Sequence, residues 1–197
     1  NLIKDFKNIG LFFISPQLTS EPISANMYRP LLMFTLSFNY FFGRLNPIGY
    51  HIINIMFHFL NGILFFFLAK TLLEKSNDFG DKKRDCVDIK RDEQNKYYWP
   101  VLLGTLLFIV HPVNTEAVNY ISCRSTLMAS FFLLLGLFLY IKKDSYFKPK
   151  SIYFYIGSVI TFVLGLLTKE IIITFPLIII LYDLLFVVKK NAVREIF

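Results

Sequence analysis

Apolar residues dominate this sequence in long runs, and polar residues collect between the runs. A helix of about 20 apolar residues matches the thickness of the hydrocarbon core of a bilayer. The pattern predicts about five such helices. They cover residues 49–72, 98–113, 118–141, 152–168 and 171–188. The predicted fold class is therefore all-α, a polytopic membrane helical bundle.

The segment before the first run, residues 1–48, is more polar and is predicted to be an exoplasmic loop. Within it, residues 28–42 read YRPLLMFTLSFNYFF, which is apolar but too short to span a bilayer. Pro30 suits the first turn of a helix, and Gly43 suits its end. We therefore predict a helix that lies in the membrane interface, preceded by a short helix near residues 1–14.

Composition supports a membrane protein over a soluble one. Of the 197 residues, 55% are hydrophobic and 18% are charged, and the mean hydropathy is +0.52. An ordinary soluble domain carries about 25% charged residues and lacks long apolar runs. A soluble core built from several helices that are apolar all round is therefore disfavoured in a chain of this length.

Positive charge predicts the orientation in the membrane. Most of the 21 Lys and Arg residues lie within residues 70–96, 142–150 and 189–197. The positive-inside rule places these segments in the cytoplasm, so residues 74–97 form a charged cytoplasmic loop and residues 189–197 a cytoplasmic tail. The loop carries as many acids as bases, which is unlike a nucleic-acid-binding surface. We expect a multi-pass protein of the plasma membrane if prokaryotic, or of the endoplasmic reticulum if eukaryotic.

Ionisable residues gather near the exoplasmic ends of the predicted helices, although they are far apart in the sequence. Such groups are costly at membrane depth and usually face a polar cavity. The pattern therefore predicts a functional site on this face. Its members are His51, His111, Glu116, Arg124, Lys169, Glu170 and, from the preceding loop, Arg29.

The chemistry of this group favours a phosphate ligand. The cations Arg29, Arg124 and Lys169 suit a phosphate or pyrophosphate head group, since guanidinium forks match phosphate oxygens. Glu116 and Glu170 are candidates to orient those cations or to help deprotonate an acceptor hydroxyl. The sequence contains no HExxH or CxxC motif and no other metal-ligand spacing, so no metal site or cofactor is predicted.

Structural interpretations of the same residues remain open. Histidines 51 and 58 can hydrogen-bond between helices, Arg124 can extend to the lipid head groups, and the pair Lys169–Glu170 can be a solvated turn. Three further polar residues are interpreted as structural: Asn54 and Asn61 as links between helices, and Asp183 as a cap or a partner for a loop cation. Cys86 and Cys123 are expected on opposite sides of the membrane, which excludes a disulfide between them.

Several motifs occur in order from about residue 28 to residue 186. They are YRPL at 28–31, GYH at 49–51, HPVNTEAV at 111–118, Arg124 in the helix that follows, KE at 169–170 and YD at 182–183. Together they resemble the membrane part of the transmembrane and tetratricopeptide-repeat protein family. The resemblance implies a partial GT-C-like fold and a glycosyltransferase that takes a sugar from a polyprenyl-phosphate lipid. In eukaryotic members the sugar is mannose, passed from dolichyl phosphate mannose to Ser or Thr of a protein on the lumenal face.

The resemblance also implies roles for the clustered residues. Arg29, Arg124 and Lys169 would bind the donor phosphate, His111 and Glu116 would shape the sugar or acceptor side, and His51 and Glu170 would support them. GT-C enzymes of this kind carry an acidic pair in the first exoplasmic loop, after a first span. We expect those catalytic carboxylates upstream of residue 1, so that this chain is a fragment. The implied partners are the lipid bilayer, a lipid-linked sugar donor and a protein acceptor, with no nucleic acid.

Two other classes of function fit part of the pattern. A transporter or flippase for a lipid-linked or anionic substrate would also use intramembrane cations and helices interrupted by Pro112 and Pro176. It should place polar residues along a path through both leaflets, whereas runs such as ILFFFLA and FFLLLGLFL keep the middle of the helices apolar. A membrane scaffold for a soluble partner would leave the polar cluster on one face unexplained. The pattern thus favours the transferase.

Overall fold

The computed structural model describes residues 9–14, 28–78, 87–143 and 150–188, and these residues are helical with short connections. Within these ranges there is no strand, which confirms the all-α prediction. The helices are α1 Ile9–Ile14, α2 Pro30–Gly43, α3 Pro47–Asp78, α4 Val87–Val110, α5 Asn114–Asn119, α6 Arg124–Lys142, α7 Lys150–Leu166 and α8 Phe175–Tyr182. A 3₁₀ turn, Ile121–Cys123, precedes α6; a second, Glu170–Thr174, precedes α8; and a π-helix, Asp183–Val188, follows α8.

Some predicted segments fall partly or wholly outside the described residues. They are the start of the exoplasmic loop (1–8 and 15–27), the centre of the charged loop (79–86, with Cys86) and the tail 189–197. The placement of each segment on one or the other side of a membrane stays a prediction.

Two helices of the described part are long and apolar enough to cross a membrane. They cover Pro47–Ser76 and Ile121–Lys142, and two shorter apolar helices cover Tyr97–Val110 and Ser151–Leu166. The most apolar window of the first is 22% buried within the chain and that of the second 44%. Most of each window is therefore not covered by the rest of the described chain. A multi-pass arrangement with more than these two helices stays a prediction.

Helices α3 and α6 run parallel in constant register. The Nδ2 atom of Asn61 donates to the carbonyl of Leu127 at 3.0 Å, and the Nζ atom of Lys75 donates to the carbonyl of Ile141 at 3.1 Å. Both pairs are 66 residues apart in sequence, and the two contacts lie roughly 21 Å apart along the helix axis. The two helices therefore start at the same end of the bundle.

Helices α4 and α7 run in the opposite direction. His58 on α3 contacts the carbonyl of Ile109 near the end of α4, whereas Phe66 further along α3 contacts Tyr98 near its middle. Helix α7 packs on α6, where a Cβ at Gly136 would lie 2.7 Å from Thr161 Oγ1. The starts of α3 and α6 and the ends of α4 and α7 thus share one end of the bundle.

The helix boundaries differ from the sequence-based ones where proline or a turn intervenes. Helix α4 starts at Val87, inside the segment predicted as a charged loop, and ends at Val110 because Pro112 lacks the N–H needed to continue it. The expected helix 118–141 is interrupted before Arg124 by an extended residue, Tyr120, with φ −85° and ψ 123°. The expected helix 171–188 is divided into a 3₁₀ turn, α8 and a π-helix. Helix α2 ends at Gly43 as predicted, and Arg44 takes the positive φ of 50°.

Candidate functional site

One end of the bundle collects the candidate site residues of the sequence analysis. Helices α3 and α6 begin there, α7 ends there, and the backbone N–H of Leu31 on α2 donates to the carbonyl of Leu167 at 3.2 Å. This bond joins the first turn of α2 to the turn that follows α7. Residues that are about 140 positions apart in the chain are therefore neighbours.

Arg29 and Glu170 form an ion pair across this junction. The Nη2 atom of Arg29 lies 3.4 Å from Oε2 of Glu170, and the two side chains are 20% and 60% exposed. At that length the contact is a weak hydrogen bond. The Nε atom of Arg29 is buried and has no hydrogen-bond partner within the described structure. A buried donor without a partner is uncommon, so an acceptor from outside the described residues would satisfy it.

Lys169 leaves the end of α7 in an extended conformation and turns back onto α6. The turn forms because the carbonyl of Gly165 accepts the backbone N–H groups of Thr168 and Lys169. The half-buried Lys169 ammonium donates to Oγ1 of Thr126 at 2.7 Å. An ammonium group has three hydrogens, so this bond uses one of them. The pair Lys169–Glu170 is thus anchored to α2 and α6, which is more order than a simple solvated turn requires.

Arg124 is completely buried, with 0% of its surface exposed. Its Nε donates to Asn54 Oδ1 at 3.0 Å, and its Nη2 donates to the carbonyl of Tyr50 at 3.0 Å. Its Nη1 donates to Asn39 Oδ1 at 2.6 Å and to the carbonyl of Thr35 at 3.3 Å. Four of the five N–H groups of a guanidinium are therefore taken by protein oxygens.

This burial contradicts one interpretation of Arg124 and bears on another. The suggestion that its side chain extends to lipid head groups is wrong, because the guanidinium is directed into the junction of α2, α3 and α6. Its assignment as a direct phosphate ligand stays a prediction, and at most one N–H remains for that contact in this arrangement.

Asn54 is the central acceptor and donor of this buried network. Its Oδ1 accepts from Arg124, while its Nδ2 donates to the carbonyls of Val118 and Tyr120 at 3.1 and 3.2 Å. Those carbonyls lie where the chain leaves helical geometry between α5 and α6, so they lack regular helical partners. Because the Nδ2 of Asn61 likewise donates to the carbonyl of Leu127 on α6, the structure confirms that both asparagines link helices.

The HPVN segment at 111–114 ends α4 and satisfies its last carbonyls. Pro112 cannot donate to the carbonyl of Phe108, and Asn114 Nδ2 bonds that carbonyl instead. His58 Nε2 lies 2.9 Å from the carbonyl of Ile109, which confirms that His58 hydrogen-bonds between helices. The backbone N–H of Val113 donates to Nδ1 of His111 at 3.2 Å. This motif therefore has a structural explanation in addition to any chemical one.

The geometry of His111 fixes which hydrogen bond it can offer. Because its Nδ1 accepts the Val113 N–H, the neutral ring carries its hydrogen on Nε2 and presents a donor to solvent. Glu116 is also exposed, and His51 is half-buried on the first turns of α3. In the part of the chain that the structure describes, no hydrogen bond or ion pair connects His111, Glu116 or His51 to Arg29 or Lys169. The structure thus joins Arg29 to Glu170, the chain neighbour of Lys169, and shows no such bond from these residues to the other three.

The sequence analysis did not predict three contributors to this end of the bundle. Asn39 and Tyr50 bind Arg124, and Thr126 binds Lys169. The sequence did offer a sign of the role of Asn39, which is an amide within an apolar helix. In the structure Asn39 is 7% exposed. Nothing in the sequence indicated the roles of the Tyr50 carbonyl and the Thr126 hydroxyl, because those roles depend on which helices pack together.

Comparison with known proteins gives a consistent set of relatives. Protein O-mannosyl-transferase TMTC2 of Homo sapiens is 31% identical over 175 residues, which is 88% of this chain and 18% of that protein. Protein O-mannosyl-transferase TMTC3 of Mus musculus is 30% identical over 123 residues, 62% of this chain and 11% of that protein. Protein O-mannosyl-transferase tmtc2 of Xenopus laevis is 35% identical over 122 residues, 62% of this chain and 12% of that protein.

No family model matches the chain, and no solved structure matches it. The chain spans less than a fifth of the length of each of the three relatives. These relatives carry the name that the resemblance implied. The chain therefore belongs to the family of transmembrane and tetratricopeptide-repeat-containing proteins named protein O-mannosyl-transferases.

Proposed function

We propose that this chain is part of a membrane glycosyltransferase that takes a sugar from a polyprenyl-phosphate donor and passes it to hydroxyl groups of proteins on the exoplasmic or lumenal face. The names of the relatives favour mannose as the sugar. The observation that carries the proposal is that two cations, Arg29 with its contact to Glu170 and Lys169 with its contact to Thr126, lie at one end of an apolar helical bundle.

Arg29 has the geometry of a ligand for a phosphate. Its buried Nε has no partner within the described residues, and its Nη2 meets Glu170 at a long 3.4 Å. The Nε and Nη2 hydrogens of a guanidinium point the same way and match two oxygens of one phosphate. A phosphate in that position would satisfy the unpartnered donor and would compete well with the weak contact to Glu170.

Lys169 adds a second positive charge, and its ammonium group is held in a defined position. Thr126 holds the ammonium by one hydrogen and leaves the others for a ligand. Arg29 and Lys169 are positive and the adjacent Glu170 is negative, so the three side chains carry a net charge of about plus one. This small excess of positive charge attracts an anion, whereas a larger excess would be more costly to bury.

His111 and Glu116 are assigned to the sugar or acceptor side. His111 offers the Nε2–H donor derived above, which suits a sugar hydroxyl or carbonyl oxygen but not the removal of a proton. Glu116 is an exposed carboxylate on α5 and can accept a hydrogen bond from a hydroxyl group. His51 is assigned a supporting role beside them.

Polar contacts between helices hold the opposite end of the bundle together. There the ammonium of Lys75 bonds the Tyr182 hydroxyl at 2.7 Å, and the Tyr140 hydroxyl donates to Asp183 at 2.7 Å. These contacts join α3, α6 and the α8 region, and the side chains of Tyr140 and Tyr182 are buried. A transporter closes each end in turn, so this end fits either function, and the choice of the transferase rests on the names of the relatives.

The test is transfer by the full-length protein in membranes. A radiolabelled polyprenyl-phosphate mannose is supplied, and label in protein is followed for wild type, Arg29→Ala, Lys169→Ala and the control Lys142→Ala. Lys142 is a lysine at the far end of α6 and is matched in charge. We expect transfer by wild type and the control, and loss of more than about tenfold in the two variants at equal amounts of inserted protein. Movement of the lipid between leaflets without transfer would contradict the proposal and favour the transporter.

A further inference from the structure

Arg124 is a buried cation whose partners are all neutral. It donates to two side-chain amides and two backbone carbonyls, and its guanidinium carbon lies 5.5 Å from the centroid of the Tyr50 ring. Among the described residues, no carboxylate pairs with it. Burying a guanidinium without a counter-ion is expensive, so stability alone would be served as well by an apolar side chain. The planar guanidinium of Arg124 additionally fixes the positions of the groups that it binds relative to one another.

The groups bound by Arg124 belong to the two helices that lead into the site. Its Nη1 hydrogens bind Thr35 and Asn39 on α2, roughly two and three helical turns after Arg29. Its Nε and Nη2 hydrogens bind Asn54 and Tyr50 on α3. Arg124 therefore holds α2 and α3 against the first turn of α6.

A closed circuit of hydrogen bonds continues from this contact. From Arg124 it passes to α2, then through the bond from Leu31 N to Leu167 O into the turn after α7. From that turn it returns through the bond from Lys169 Nζ to Thr126, two residues beyond Arg124 on α6. Both cations proposed to hold the donor phosphate are attached to this circuit, Arg29 at the start of α2 and Lys169 in the turn.

We propose that Arg124 is a positioning residue that sets the separation of Arg29 and Lys169, and so tunes the site for one phosphate group without contacting it. This assignment rests on the proposed function of that site. A guanidinium fork bridges α2 and α3 at once, whereas the ammonium of a lysine cannot reproduce four directed bonds in one plane. Replacing Arg124 by Lys therefore keeps the positive charge and loses the geometry.

The experiment measures the donor KM, the acceptor KM and kcat of the full-length protein with polyprenyl-phosphate mannose and an acceptor protein. The variants are Arg124→Lys and Asn39→Ala, which removes the acceptor on α2 that lies 2.6 Å from Nη1. The control is Asn61→Ala, which removes a buried bond between α3 and α6 that is not part of the circuit. Thermal unfolding of each variant in detergent shows whether the losses of stability are comparable.

We expect Arg124→Lys and Asn39→Ala to raise the donor KM roughly tenfold or more with little change in the acceptor KM, because a displaced cation binds the phosphate less well. Asn61→Ala should leave the donor KM within about twofold at a similar loss of stability. Should Arg124→Lys fail to fold, Asn39→Ala decides alone. A donor KM unchanged in both variants, or raised equally in Asn61→Ala, overturns the positioning role while the proposed function stands. Absence of transfer by wild type overturns the proposed function and this assignment together.

Discussion

Gly136 gives a direct test of how α6 and α7 pack. A Cβ placed at Gly136 would lie 2.7 Å from Thr161 Oγ1 and 3.0 and 3.2 Å from Cζ and Cε2 of Phe175. Phe175 is 3% exposed and belongs to the main cluster of buried residues, so its ring has little freedom to move. Overpacking of this kind costs about 1–3 kcal/mol.

The matched control for Gly136→Ala is Gly104→Ala. Gly104 lies in the interior of α4, and a Cβ there would meet nothing within 4 Å. Both substitutions gain about 1 kcal/mol from the greater helix propensity of alanine. That gain cancels in the difference, so the free energy of unfolding of Gly136→Ala should fall about 1–3 kcal/mol below that of Gly104→Ala.

The assay is reversible unfolding of purified protein in mixed detergent micelles, with each variant also made on a Thr161→Ala background. Thr161→Ala removes the nearest atom, so the penalty at Gly136 should shrink by roughly 0.5 kcal/mol or more in the double-mutant cycle. Equal stability of Gly136→Ala and Gly104→Ala would refute the packing of α6 on α7 described here. If the Gly136→Ala penalty is the same with and without Thr161→Ala, the contact between positions 136 and 161 is refuted.

Two further expectations concern buried polar contacts. Lys75→Met should lower the free energy of unfolding by about 1–3 kcal/mol, because the hydrogen bond to Tyr182 is lost. Lys70→Met breaks only the 3.9 Å surface ion pair with Glu74, so it should change the free energy of unfolding by less than about 0.5 kcal/mol. Equal effects of the two lysine variants in the same unfolding assay would contradict this difference. Asn114→Ala should cost about 1–3 kcal/mol, because the carbonyl of Phe108 then has neither a helical N–H nor a side-chain donor. Amide hydrogen exchange should show faster opening of the last turn of α4, and unchanged exchange there would argue against this cap.

The sequence predicted the helices well where local signals decide them. Pro30 and Gly43 marked the ends of α2, and the structure places that helix at Pro30–Gly43. The interruption before Arg124 was not predicted, since residues 118–123 contain no proline or glycine that would mark a break in the helix. It arises where Asn54 takes the carbonyls of Val118 and Tyr120, which is a contact between distant segments.

The sequence indicated which charged residues are unusual in an apolar chain, but not how they are connected. Charge in an apolar chain was enough to single out Arg29, Lys169 and Glu170, which the structure brings together. The surroundings of Arg124 could not be predicted, because burial by Asn39 and Asn54 depends on how α2 and α3 meet α6. Periodicity shows which face of a helix is apolar, but it does not show which polar groups of other helices lie opposite.

We propose that the end of the bundle formed by α2, α6 and the turn after α7 binds a lipid-linked phosphate through Arg29 and Lys169. The most direct test is the binding of polyprenyl phosphate to the purified full-length protein in detergent, at several salt concentrations. We expect saturable binding by wild type and Lys142→Ala, and a loss of more than about tenfold in affinity for Lys169→Ala. Equal affinity of Lys169→Ala, Lys142→Ala and wild type, or no saturable binding at all, would contradict it.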